Sequence, residues 1–252
     1  IVFRGTRLTD QGLGPLSQLS GLYGLVIEKS EINASGVLEL TAKRLSFLSL
    51  KDSRCTDAQL MSIVKRWEKS LQTLDLTNTQ ITDEGLRSLI SLPKLRNLRV
   101  GGTSITVDGM RDFLKKRNDL WVRKIEQLSL SGLPWGVKDL VMIEVPFGIR
   151  ELDLSGWKFS DSDVETLSKF YQIETLNLSG TGITDAGVSA LYESINPMRL
   201  LLRRTAVSGE VLKIFLERGG PRGGMPHLAI GETRVQFADI VSYSGHRGGG
   251  EL

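Results

Sequence analysis

One short pattern returns ten times along the chain and constrains its fold more than any other feature. From Leu71 to Leu86 the chain reads LQTLDLTNTQITDEGL, and from Ile173 to Val188 it reads IETLNLSGTGITDAGV. Aligned on Thr79, the series is Thr6, Ser30, Ser53, Thr79, Thr103, Leu133, Trp157, Thr181, Thr205 and Thr233. Successive spacings are 24, 23, 26, 24, 30, 24, 24, 24 and 28 residues. A repeat of this length cannot bury its own apolar residues, so the copies must stack.

One copy reads as strand, turn, helix and return. Leu74 and Leu76 alternate with Asp75 and Thr77, which predicts a short strand with leucines inward and polar residues outward. Ile81 points back to the core after the turn. Thr82 is placed to cap a helix whose first turn holds Asp83 and Glu84, where negative charge is favoured. Leu86, Leu89 and Leu92 then share one helix face. The expected fold is an α/β solenoid, with a parallel sheet on one side and helices on the other. Strands are narrower than helices, so the stack is expected to curve with the sheet on the concave face. The hydroxyl of the Thr79 column is expected to satisfy backbone groups where each strand ends. Leu133 and Trp157 break that column, and a local distortion is expected there.

Two spacings are long. The 30-residue step contains Arg111–Lys124, expected as a longer basic helix and return with a solvated face and Trp121 packed beneath it. The 28-residue step contains Gly219–Pro226, expected as a flexible loop without a phosphate-cradling pattern. Residues 1–243 are assigned to the solenoid and residues 244–252 to a flexible glycine-rich tail.

No constellation points to catalysis. His246 lies in the glycine-rich tail, and His227 falls on a predicted inner-face strand with no second ligand at metal spacing. No nucleophile elbow is present. Cys55 takes the place of Ile81 in its repeat and reads as a small core thiol. No catalytic, cofactor-binding or metal-ligating residues are assigned. Asp75 and Asp153 recur on strands because the repeat places them there.

The register lets the inner face be read directly. Its middle copies are small and polar, and larger groups gather toward the ends. Interfaces draw most of their energy from a few aromatic and arginine anchors. Tyr23, Phe47, Arg99, Arg203 and Arg204 are therefore the candidate contacts for a protein partner on the concave face. Ile1 and Phe3 fall on the first strand, with no element ahead of them in this sequence. A longer native chain is expected to cover that edge, or another chain to pack on it. Ile1 is not a start methionine, so a fragment or processed form is expected.

Charge narrows the partner class. The chain carries 32 Lys/Arg against 29 Asp/Glu, a net charge of +3. Residues 197–252 hold eight of the bases and five of the acids, which is the whole excess. This falls short of the basic stripe expected of a nucleic-acid binder. No apolar run approaches the ~18 residues of a membrane span. A single cysteine excludes an intrachain disulfide and favours a reducing compartment such as the cytoplasm, or a bacterial origin.

The LxxLxL run at this period resembles the leucine-rich repeat. The ITDxG runs at Ile81–Gly85 and Ile183–Gly187, with Leu8–Gly12 as a near copy, resemble its cysteine-containing, ribonuclease-inhibitor-like group. The threonine form is similar to bacterial proteins such as those abundant in planctomycetes. The resemblance covers about residues 1–240 and implies a horseshoe of about ten repeats. Secreted animal and plant members usually carry cysteine-stapled caps, which this chain lacks. The resemblance implies a non-catalytic protein-interaction scaffold. Two alternatives stand beside it: the substrate-receptor arm of a larger assembly such as an F-box ubiquitin ligase, although no F-box is present, and the accessory domain of an enzyme whose chemistry lies elsewhere.

Overall fold

The computed structural model describes residues 1–6, 9–29, 34–120, 124–143, 148–213 and 227–230. Trp121, the Gly219–Pro226 loop, His246 and the 244–252 tail lie outside the described residues, as do Ser30 and Thr233 of the repeat column. The chain divides into two units: Ile1–Pro134 with Met142–Ile149, and Trp135–Val141 with the chain from Arg150 onward.

In the first unit, strands β1 (Val2–Arg4), β2 (Gly24–Glu28), β3 (Phe47–Ser49), β4 (Thr73–Asp75), β5 (Asn97–Arg99) and β6 (Gln127–Ser129) form a parallel sheet in chain order. In the second unit, β7 (Glu151–Asp153), β8 (Thr175–Asn177), β9 (Arg199–Leu201) and β10 (His227–Ala229) do the same. The helices of the first unit are α1 (Ala34–Leu38), α2 (Asp57–Trp67), α3 (Asp83–Ser88) and α4 (Val107–Asp119). Helix α5 (Val137–Met142) follows β6, and α6 (Asp185–Ser194) lies in the second unit. Tight 3-10 turns over Asp10–Gln18 and Asp161–Phe170 serve as the helix in their repeats. This is the open α/β solenoid expected from the repeat. The sheets carry the register read from sequence: Val26, Ser49, Asp75 and Arg99 fall in one row, as do Asp153, Asn177 and Leu201.

The core follows from the pattern. Leu48, Leu74 and Leu98 in the first unit and Leu152, Leu176 and Leu200 in the second are buried beneath the sheet. Cys55 and Ile81 pack after their turns, as expected. Thr79, Thr103, Thr181 and Thr205 donate their hydroxyls to the carbonyls of Leu76, Val100, Leu178 and Leu202, at 2.6–2.7 Å. That is the expected role of the column. The distortion expected at Leu133 and Trp157 is absent from the turn hydrogen bond. Leu133 donates its N–H to Leu130 and Trp157 to Leu154, both at 3.2 Å, as Thr79 does to Leu76. The turn is closed by the backbone, so an apolar side chain can replace the hydroxyl and enter the core. Trp157 does so edge-on to Trp135, with ring centroids 6.4 Å apart.

The ITDxG motif joins neighbouring repeats. Thr82 donates its N–H to Asp57 Oδ1 (2.9 Å) and its hydroxyl to Asp57 Oδ2 (2.6 Å). The same pair of bonds runs from Thr106 to Asp83, from Thr184 to Asp161 and from Ser208 to Asp185. Each hydroxyl also accepts from a helix N–H: Glu84, Gly109, Ala186 and Glu210 respectively. The glycine makes room for this carboxylate. A Cβ on Gly85 would stand 2.2 Å from Asp57 Oδ1, and on Gly109 and Gly187 it would meet Asp83 and Asp161 as closely. In three repeats the glycine's place holds a side chain that caps its own helix. Gln59 accepts from Thr56 N, Asp139 from Gly136 N and Asp163 from Ser160 N. The two solutions fill the same space and exclude each other. Val211 is the exception, standing at the glycine position beside an intact Asp185–Ser208 pair.

The basic helix α4 is not simply solvated. Met110, Phe113, Leu114 and Arg117 are all buried, Arg117 being 2 % exposed. Its guanidinium donates to the carbonyls of Leu89 (3.1 Å), Ile90 (3.4 Å), Leu92 (3.0 Å) and Leu95 (3.0 Å). These carbonyls lie where the 3-10 turn Leu89–Ser91 ends and the chain returns to β5; Leu89 O and Leu92 O also accept from Leu92 N and Leu95 N. Burial pushes the guanidinium down to about 10, which still leaves it charged at neutral pH.

Two outcomes are expected. Gly85→Ala should lower stability by about 1–3 kcal/mol, because the Asp57 carboxylate must move. Gly14→Ala, with open space around its Cβ, should not; urea midpoints distinguish them. Arg117→Met should cost about 3 kcal/mol by removing the guanidinium's bonds to four return-loop carbonyls, and Arg117→Lys should recover only part of it.

Candidate functional site

The helices cover one side of each sheet; on the other side of the first unit Val26, Ser49, Asp75 and Ser129 are buried among their neighbours and Arg99 stands exposed. In the first unit the outward residues form two rows, Gly24, Phe47, Thr73, Asn97 and Gln127, then Val26, Ser49, Asp75, Arg99 and Ser129. Many are tied to neighbours across strands. Asn97 Nδ2 donates to Thr73 Oγ1 (3.2 Å) and Ser49 Oγ donates to Glu28 Oε1 (3.2 Å). Glu28 also pairs with Arg4 at 2.9 Å. Asp75 is nearly buried and accepts from Thr77 N (3.0 Å), an Asx turn that ends the strand. Arg99 leans toward Asp75 at 3.7 Å with its side chain 64 % exposed, a pairing worth under ~1 kcal/mol. The guanidinium therefore stays available to a partner.

In the second unit, Ser155 N donates to Asp153 Oδ1 (3.0 Å) and Ser179 N to Asn177 Oδ1 (3.1 Å), repeating the same turn. Arg203 N donates to Ser179 Oγ (3.2 Å). Strand β10 brings His227 opposite Arg199 in the ladder.

The five residues singled out from sequence occupy different places. Phe47 and Arg99 lie on the open face, two strands apart. Tyr23 does not belong to that face. It is 62 % exposed at the point where β2 begins, and its carbonyl accepts from Ser46 N and Phe47 N. The chain is still entering the strand there, so the simple in-and-out alternation has not begun. Arg203 directly follows the β9 residues and their flanking Leu202, and is exposed. Arg204 occupies the turn at φ 56, where the matching residues Gly156 and Gly180 have φ of 77 and 69. A non-glycine residue there costs about 1 kcal/mol. At the first strand, Ile1 and Val2 are exposed and β1 has β2 on one side.

Sequence reasoning missed Arg117 and the shared carboxylates. A signal for Arg117 existed: with Met110, Phe113 and Leu114 it completes an i, i+3, i+4, i+7 stripe. Among the described residues, no cluster of His, Cys, Asp and Glu suits a metal ion, and no helix is long and apolar enough to cross a membrane. Cys55 is fully buried, and burial together with nearby Asp57 pushes its thiol up to about 12.

The comparisons with known proteins bear on the fold. A family model of the leucine-rich repeat matches residues 69–89 and 173–191. The leucine-rich repeat-containing protein LegL7 from Legionella pneumophila has a similar structure, with a TM-score of 0.58 at 12 % identity, over 100 % of this chain and 99 % of that one. An internalin (inlF) from Listeria monocytogenes matches with a TM-score of 0.45 at 17 % identity, over 92 % of this chain and 68 % of that one. No curated protein matches the chain by sequence. The repeat match and the LegL7 likeness agree with the strand–helix order: the fold is a leucine-rich-repeat solenoid.

A thiol this deeply buried should be inert in the folded protein. A disulfide-exchange reagent such as DTNB should leave Cys55 unmodified in buffer and titrate one thiol in denaturant. Rapid reaction of the folded chain would contradict the packing around it.

Proposed function

We propose that this leucine-rich-repeat chain is a non-catalytic scaffold that binds another protein on the open face of its sheet. Leucine-rich-repeat proteins are typically protein-interaction scaffolds. One observation carries the reading: helices and core cover only one side of each sheet, while the other presents rows of side chains at fixed register. Such a surface is rigid before it binds, so little ordering cost is added on contact. Phe47 and Arg99 supply the larger groups on the first unit's face, with Tyr23 beside Phe47 at the strand entry. Arg203 and Arg204 supply them in the second unit.

The ITDxG runs and their shared aspartates support placing the chain in the ribonuclease-inhibitor-like group, in a form similar to bacterial members. The likeness to LegL7 is consistent with that origin.

The test is affinity capture from the native host's lysate with mass spectrometry, using the wild-type chain and two variants. One variant replaces Tyr23, Phe47 and Arg99 with alanine, the other Arg203 and Arg204. A protein retained by the wild type should be lost from at least one variant, with a cost of about 2 kcal/mol or more in direct titration. Retention by both variants within about twofold would remove these residues as anchors.

A further inference from the structure

In the first unit each helix runs back toward the start of the next strand, so helix C-termini and return loops gather at the strand-entry edge. The loops bond to one another in series. Trp67 Nε1 donates to Ala42 O (2.7 Å), Ser70 Oγ to Leu45 O (2.8 Å) and Arg117 to Leu92 O and Leu95 O. This edge is basic. Lys43, Lys69, Lys94 and Lys124 stand four or five residues before the strand leucines Leu48, Leu74, Leu98 and Leu128, one in each of four successive repeats. Lys65 and Lys116 lie in the last turns of α2 and α4. All six are exposed, and among the described residues none has an ion-pair partner.

The helix dipole accounts for Lys65 and Lys116, since cations are favoured in a last turn. It does not account for the return-loop column, which lies past the helix ends. The second unit carries Tyr171, Gln172, Ile195 and Asn196 at the same register, so the column is not a requirement of the repeat. Two apolar side chains project from the same edge: Leu19, 42 % exposed, and Leu120, 46 % exposed.

The chemistry of this edge selects its partner. The column is mostly lysine, and protein interfaces are depleted in lysine and enriched in arginine and aromatics. Among the described residues, the edge's tryptophan, Trp67, is buried and offers no platform for a base. An anionic bilayer needs neither pockets nor fixed geometry. It attracts each basic side chain near its surface additively, and exposed apolar side chains add by entering the headgroup boundary. We infer that the strand-entry edge of the first unit docks on an anionic phospholipid surface, leaving the open sheet face clear for a protein.

Vesicle co-sedimentation of the full chain tests this, with phosphatidylcholine vesicles against the same vesicles containing phosphatidylserine. Binding is expected only to the anionic vesicles and should be released near 0.5 M salt, where screening shortens to roughly 4 Å. Replacing Lys43, Lys69, Lys94 and Lys124 with Glu should weaken binding at least tenfold. Lys158→Glu with Lys169→Glu, in the second unit, should leave it unchanged. A Lys→Gln set at the same four positions guards against loss of folding, and circular dichroism confirms the folded state of each variant. Equal binding to neutral vesicles, no binding to anionic ones, or full binding by a folded quadruple variant would overturn the inference. So would capture of duplex DNA or polyglutamate in place of vesicles.

Discussion

A carboxylate shared between two repeats holds much of this structure together. Asp57 sits in the first turn of α2, where the helix dipole favours its charge, yet both of its oxygens bind Thr82 of the next repeat. The bonds are charge-assisted and so among the stronger ones available. Thr82 in turn caps α3. The helix starts at Thr82, Thr106, Thr184 and Ser208 therefore depend on the repeat before them. In a solenoid, stability is a sum of repeat and neighbour terms, and this carboxylate is a directional part of the neighbour term. Hydrophobic stacking draws repeats together; Asp–Thr pairing sets the register in which they meet.

The same need for satisfied backbone groups explains features that look unrelated. The Thr79 hydroxyl, the Gln59 amide and the Arg117 guanidinium each serve backbone groups at an end of a strand or helix. Trp157 shows the limit of this rule. Its turn is closed by the same backbone bond, and its side chain packs against Trp135. Core and caps occupy the helix side, and the other sheet face carries cross-strand bonds such as Asn97 to Thr73 and Ser49 to Glu28. The edges differ too, since the strand-entry edge of the first unit carries lysines that no fold requirement explains.

The fold was largely legible because its signals are periodic. Strand leucines, the Thr79 column and the cap residues recur at nearly constant spacing, and pairing such as Asp75 with Arg99 follows by register. The placement of the candidate contacts was legible only in part. Phe47 and Arg99 lie on the open face as read, because they fall inside the alternation. Tyr23 precedes it, at the strand entry, and alternation has no authority there. Arg117 was misread with its neighbours because a basic residue on a basic helix looks solvated until its stripe is traced.

The amino-acid order alone determined the repeat, the strand and helix of each copy and which leucines turn inward, because local periodicity decides them. Which polar groups would meet was settled only by stacking. Asp57 and Thr82 are 25 residues apart in the chain, and Arg117 is 22–28 residues from the carbonyls it satisfies. Those partners come within reach only when neighbouring repeats lie against each other, and the space Gly85 leaves empty has meaning only beside the carboxylate that fills it.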